Sequence, residues 1–105
     1  NVQPPMLAGD ISVNVTIEMA NAAHERAGRD AIKSARDVLD ASAVACEEHM
    51  LVGDPAETIA RVARDEGVDA IVMGTRGMGL IKALVLGSVA TKVIHLVDVP
   101  VTLVK

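Results

Sequence analysis

The run from Ile71 to Val89, Ile-Val-Met-Gly-Thr-Arg-Gly-Met-Gly-Leu-Ile-Lys-Ala-Leu-Val-Leu-Gly-Ser-Val, constrains this chain more than any other stretch. It opens with a short apolar segment, Ala70 to Met73, that reads as a buried parallel strand. Three glycines follow at Gly74, Gly77 and Gly79, and Gly87-Ser88 then opens an amphipathic segment. A strand feeding a glycine-rich turn that ends at a helix start is how α/β proteins hold phosphate groups. The glycines let backbone N–H groups come close to the anion, and the helix N-terminus adds about half a positive charge.

The spacing separates this turn from the familiar phosphate loops. No Lys precedes Ser88 in a G-x4-G-K-[ST] frame, so it is not a Walker loop. The order G-x2-G-x-G is not the dinucleotide fingerprint G-x-G-x2-G, and the connection to the helix is too long. What fits is G-x2-G-x9-G-[ST], with Gly74, Gly77, Gly87 and Ser88 in place. On these residues the chain resembles the ATP-binding branch of the universal stress protein family. The tail supports the resemblance, with Val89 to Leu96 as a helix and Asp98-Val99-Pro100-Val101-Thr102-Leu103-Val104 as a last strand. It covers residues 44 to 105 well and the first forty loosely.

The resemblance implies an adenine nucleotide, ATP with or without Mg²⁺, as the ligand. Gly74, Gly77, Gly87, the Ser88 hydroxyl and the N–H groups of Ser88 and Val89 would face the phosphates, and Met73 would border the adenine. Taken singly, the glycines serve equally well as turn residues and Ser88 as a helix-start residue. Arg76 and Lys82 lie in the turn, either paired with phosphate oxygens or solvated.

Bulk composition narrows the function classes. A chain of 105 residues makes one small domain that buries about two-thirds of its unfolded surface. Half of it is apolar, yet it has no Phe, Tyr or Trp, so Val, Ile, Leu, Met and Ala must build the core. No base can stack on an aromatic side chain, and the net charge of −4 opposes a nucleic-acid footprint. Cys46 is the single cysteine, which excludes a disulfide within the chain and fits a reduced, cytoplasmic setting. No signal peptide and no apolar run near about 18 residues is seen, so neither export nor membrane spanning is expected.

In chain order, Pro4-Pro5 and Gly9-Asp10 mark residues 1 to 14 as a loop. Val15 to Ala41 reads as a long helix with an apolar stripe at Ala20, Ala23, Ala27, Ala31, Ala35 and Val38. Gly28 in its middle marks a bend or a close contact. Ala43 to Val52 reads as a strand near a sheet edge, since Glu47, Glu48 and His49 lie in it. Asp54-Pro55-Ala56-Glu57 then signals a helix start, with Asp54 as N-cap. Ala56, Ile59, Ala60 and Ala63 form its buried face, and Gly67 its left-handed cap. Strands at 69–73 and 99–105 complete the series.

Strands alternating with helices predict an α/β fold with a parallel sheet in three layers, Rossmann-like, with the ligand crevice at the carboxyl ends of the strands. By resemblance this is the adenine nucleotide alpha hydrolase-like arrangement, a single domain over residues 1–105. The family opens with a strand, a helix and a second strand, the first ending in an acidic residue that would bind the ribose. That segment has no counterpart here, and Asn1-Val2-Gln3 looks like the end of the family's second strand. Chain preceding Asn1 is the expected explanation, ahead of a swapped dimer or a natural short form.

The other chemistry-bearing residues carry no pattern. His24, His49 and His95 lack partners at metal-ligand spacing, and no metal site is expected. Cys46 has no nearby His and reads as a small packed residue. With only Asp69 and Asp98 as the nearest acids, no catalytic base can be named for ATP hydrolysis, so binding rather than turnover is expected. An apolar terminal strand at a sheet edge exposes unpaired backbone groups, and a twin across a two-fold axis would cover them. The resemblance also points to a homodimer through Val99, Val101 and Leu103. The leading expectation is a nucleotide-binding regulator of the stress response; the alternative is an interaction module that does not use nucleotide.

Overall fold

The structure, a computed structural model, describes residues 1–5, 17–75 and 86–105. Two compact units make up the chain, Asn1–Asp54 and Pro55–Lys105. All strand pairing in the described residues is parallel, and helices separate the strands in sequence, so the α/β class expected from the alternation is present.

The first unit holds β1 (Val2–Gln3), α1 (Ile17–Ala41) and β2 (Leu51–Val52). Val2 stands opposite Leu51 and Gln3 opposite Val52. The ladder is carried on by Leu51 N–H to Asn1 O at 3.0 Å and Gly53 N–H to Gln3 O at 2.9 Å. The amino terminus donates to the His49 carbonyl at 2.7 Å. The strand expected over 43–52 is therefore cut to two residues. The polar stretch before it is held instead by α1. Arg36 donates to Glu48 at 2.7 Å, approaches the Cys46 sulfur at 3.7 Å and pairs with Asp40 at 3.0 Å. Glu48 first and Asp40 second raise the Arg36 pKa above its usual value.

Helix α1 turns a different face inward from the expected one. His24, Gly28, Ile32 and Leu39 are its covered positions, while Ala23, Ala27, Ala31 and Ala35 are exposed and Val38 is 65 % exposed. Burying Ile and Leu removes more apolar surface from water than burying Ala, so the fuller side chains take the inner face. Gly28 marks a close contact: a Cβ there would lie 3.2 Å from Met50 Cγ and 3.5 Å from Asn1 Oδ1. The outer face carries ion pairs one turn apart, Glu25–Arg29 and Lys33–Asp37.

The second unit holds α2 (Pro55–Asp65), β3 (Ile71–Gly74), α3 (Ser88–Leu96) and β4 (Val101–Val104). Helix α2 begins where Asp54-Pro55 predicts. Its inner face contains the expected Ala56 and Ala60, with Ile59 and Ala63 half-buried and Thr58 added. It packs on α3, whose buried residues are Ala90 and Val93. Glu57 and Lys92 bridge the two helices at 3.1 Å on the exposed side. Gly67 has φ +60, and its neighbours close the cap with Val68 N–H to Ala63 O at 3.1 Å and Gly67 N–H to Arg64 O at 3.2 Å. β3 and β4 pair in register, Ile71 with Val101 through Gly74 with Val104. Ile71, Met73, Val101 and Leu103 lie on the half-covered face. The other face is bare, with Val72 71 % exposed. Among the described residues each strand pair is a two-stranded sheet within its own unit.

Candidate functional site

The candidate site is built where β3 ends and α3 begins. Met73 is half-buried in β3 opposite Leu103, and Gly74 is the last residue of the strand, exposed, opposite Val104. Thr75 carries the ladder one step further, donating its N–H to the Val104 carbonyl at 2.9 Å. Arg76, Gly77, Gly79 and Lys82 lie outside the described residues. The chain re-enters at Leu86, and Gly87 N–H donates to the Thr75 carbonyl at 2.6 Å. The residues on either side of the glycine-rich turn are thus joined by a direct backbone bond.

Gly87 is the N-cap of α3, with extended backbone at φ −71 and ψ 159 and no side-chain cap. Its carbonyl accepts the first helical bond, from Thr91 N–H at 3.0 Å, and also the Thr91 hydroxyl at 2.9 Å. Ser88, Val89 and Ala90 are the first three helical residues, so helix geometry gives their N–H groups no acceptor within the helix. Ser88 is exposed, Val89 half-buried and Ala90 buried. With no acidic residue in this first turn, nothing on the helix itself offsets the positive end of its dipole. Of the sequence-derived set, the structure thus places Gly74 next to one end of this bond and Gly87, followed by Ser88 and Val89, at the other, with Met73 one residue further back in β3 opposite Leu103. It adds Thr75, which glycine spacing does not single out because its role lies in its backbone groups alone.

The far end of the second unit is chemically different. A groove of about 280 Å³ there is lined by Ala60, Ala63, Val68, Leu96 and Val99, with Arg64 and Asp98 as its charged residues of opposite sign. It offers no start of a helix and no excess of positive charge. Among the described residues, no group of three His, Cys, Asp or Glu side chains is placed to hold a metal ion, and no helix is long and apolar enough to cross a membrane.

A family model described as universal stress protein family matches residues 2–105. The chain belongs to the universal stress protein family. Universal stress protein MJ0577 of Methanocaldococcus jannaschii is 46 % identical over 56 residues, 53 % of this chain and 35 % of that protein. A universal stress protein of Thermus aquaticus is 48 % identical over 53 % of this chain and 41 % of its own length. Universal stress protein YxiE of Bacillus subtilis is 33 % identical over 77 % of this chain and 55 % of its own. The chain thus spans between about a third and just over half of these universal stress proteins. A solved structure of MJ0577, described as a structure-based assignment of biochemical function, superposes with a TM-score of 0.74 at 35 % identity. The match takes in 84 % of this chain and 60 % of that one. The α/β frame is the universal stress protein frame.

Proposed function

We propose that this chain binds an adenine nucleotide, ATP, as a regulatory ligand in a stress response, with its phosphates on the turn between β3 and α3. The observation that carries the reading is the Gly87–Thr75 backbone bond at 2.6 Å. It sets the open N–H groups of Ser88 and Val89 beside the carboxyl end of a parallel strand, the position from which α/β proteins recognise anions. In this reading Gly74, Gly77 and Gly87 let the main chain approach the phosphates, Ser88 donates its hydroxyl, Met73 borders the adenine and Arg76 pairs with phosphate oxygens. Mg²⁺ would accompany the triphosphate through phosphate oxygens and water rather than through a protein cage. The role is binding rather than turnover, exercised in the cytoplasm.

Titration calorimetry with ATP tests the reading on the intact chain and on Gly77→Val and Gly87→Val. The added side chains should fill the space an anion needs, and affinity should fall at least tenfold in each. Equal affinity in all three would reject phosphate binding at this turn.

A second reading, an interaction module that works without nucleotide, draws on β4. Ile71 N–H bonds to Pro100 O at 2.9 Å and Thr75 N–H to Val104 O at 2.9 Å, so Pro100 and Val104 turn their carbonyls toward β3. Strand alternation then points the N–H and C=O of Val101 and Leu103 to the opposite edge, which no strand joins among the described residues. Homodimerisation through Val99, Val101 and Leu103 is compatible with both readings. Only the second predicts that dimerisation is indifferent to ATP.

A further inference from the structure

The bond that closes the turn is itself held from the end of β4. Val104 O accepts Thr75 N–H at 2.9 Å, Thr75 O accepts Gly87 N–H at 2.6 Å, and Gly87 O accepts Thr91 N–H at 3.0 Å. These contacts form a continuous row from the last residue of one strand, through a single residue at the end of its neighbour, into the first turn of α3. Gly87 has no side-chain cap to hold it otherwise, and Gly74, immediately before Thr75, is exposed with no side chain to pack. The α3 N-terminus is therefore tied to the strand end by this backbone connection, beside the packing of the buried Ala90 and Val93 and the Glu57–Lys92 bridge to α2.

From this we infer that the end of β4 is a control strap for the ligand site. When Val104 is seated on Thr75, the α3 N-terminus is held ready; when Val104 is released, the neck of the turn loosens and ligand affinity falls. Val104 is suited to such a role because it is half-exposed and stands at the open end of the ladder, beyond the pairs Ile71–Val101 to Met73–Leu103. Terminal rungs of this kind open with little free energy while the rest of the ladder stays closed. Linkage makes the effect reciprocal: a ligand on the turn tightens Val104, and whatever binds the end of β4 alters the ligand site by the same factor. Thr75 is then a positioning residue, acting through Gly87. The inference deepens the nucleotide reading and rests on it for the identity of the ligand, but the strap itself does not.

Amide hydrogen exchange read by NMR on the whole chain, with ATP as the probe ligand, tests it. Thr75→Pro removes the one N–H that Val104 accepts and keeps the Thr75 carbonyl, and the preceding Gly74 is already in the extended conformation that proline favours. A second variant lacking residues 104 and 105 removes the acceptor instead. In both, the Gly87 amide should exchange at least tenfold faster without ligand, ATP affinity should fall about tenfold, and Thr102 should stay protected as the sign that β4 remains paired. In the unaltered chain, ATP should slow exchange at Thr75. Unchanged Gly87 exchange in a variant that keeps Thr102 protected would overturn the strap. So would faster exchange with undiminished ATP affinity. If the unaltered chain binds no ATP at all, the nucleotide reading fails, while the ligand-free Gly87 rates still decide whether the strap exists.

Discussion

Two residues in equivalent places show how much a single Cβ decides. Helix α2 ends at Gly67 with φ +60, and α1 ends in the same bonding pattern at Ala43 with φ +53. There Val44 N–H reaches Leu39 O at 3.1 Å and Ala43 N–H reaches Asp40 O at 3.2 Å. In the left-handed region an Ala Cβ crowds the following carbonyl, whereas Gly has nothing to crowd. Ala43→Gly should therefore raise stability by up to about 1 kcal/mol, part of the gain being offset by the freer unfolded chain. Gly67→Ala should lower it by about 1 kcal/mol, since no atom lies within 4 Å of the added Cβ and only the backbone conformation resists it. Urea unfolding of both variants gives the two signs directly. Gly67 was legible in the sequence because glycine follows a helical period. Ala43 was not, because the chain spends a conformation there that its residue type does not announce.

At the level of elements, the second unit was the readable one. Asp54-Pro55, the Ala56–Ala60 face and the apolar run before Gly74 are local signals, and α2 and β3 appear where those signals put them, to within two residues; α3 begins at Ser88 as expected, and β4 starts at Val101, three residues inside the strand expected from Asp98. The first unit departs from expectation at both of its larger claims. The stretch 43–50 is not strand: Ala43 and Val44 close the end of α1, and Arg36 on α1 holds Glu48. Ala23, Ala27, Ala31, Ala35 and Val38 of the α1 stripe are exposed, because periodicity shows that a helix has an apolar face but not which of two adjacent faces packs. The candidate site is marked in the sequence by glycine spacing alone, whereas the Thr75–Gly87 backbone bond that joins its two flanks has no sequence signature. The buried seam between α2 and α3 supplies the matching stability test. Val93 is fully enclosed, and Val93→Ala should cost about 2 kcal/mol. That corresponds to a fall of roughly 10 °C in Tm for a unit of this size, measured by circular dichroism.

For the whole molecule, association through β4 is the decisive open prediction. Leu103→Pro removes an N–H on the outward edge and leaves the bonds that Pro100 and Val104 make to β3. Sedimentation should show a dimer for the unaltered chain at micromolar concentration and a monomer for Leu103→Pro, with the far-ultraviolet dichroism of both alike. A monomer in both cases would reject edge pairing. The register of β3 with β4 has a further consequence, in time rather than space. Ile71 to Gly74 are synthesised 30 residues ahead of Val101 to Val104, their partners in the ladder. At about 5–20 residues per second that interval lasts roughly 2–6 s. Throughout it the apolar strand 71–74 has no β4 to pair with, so this ladder can close only after residues 101–104 have been made.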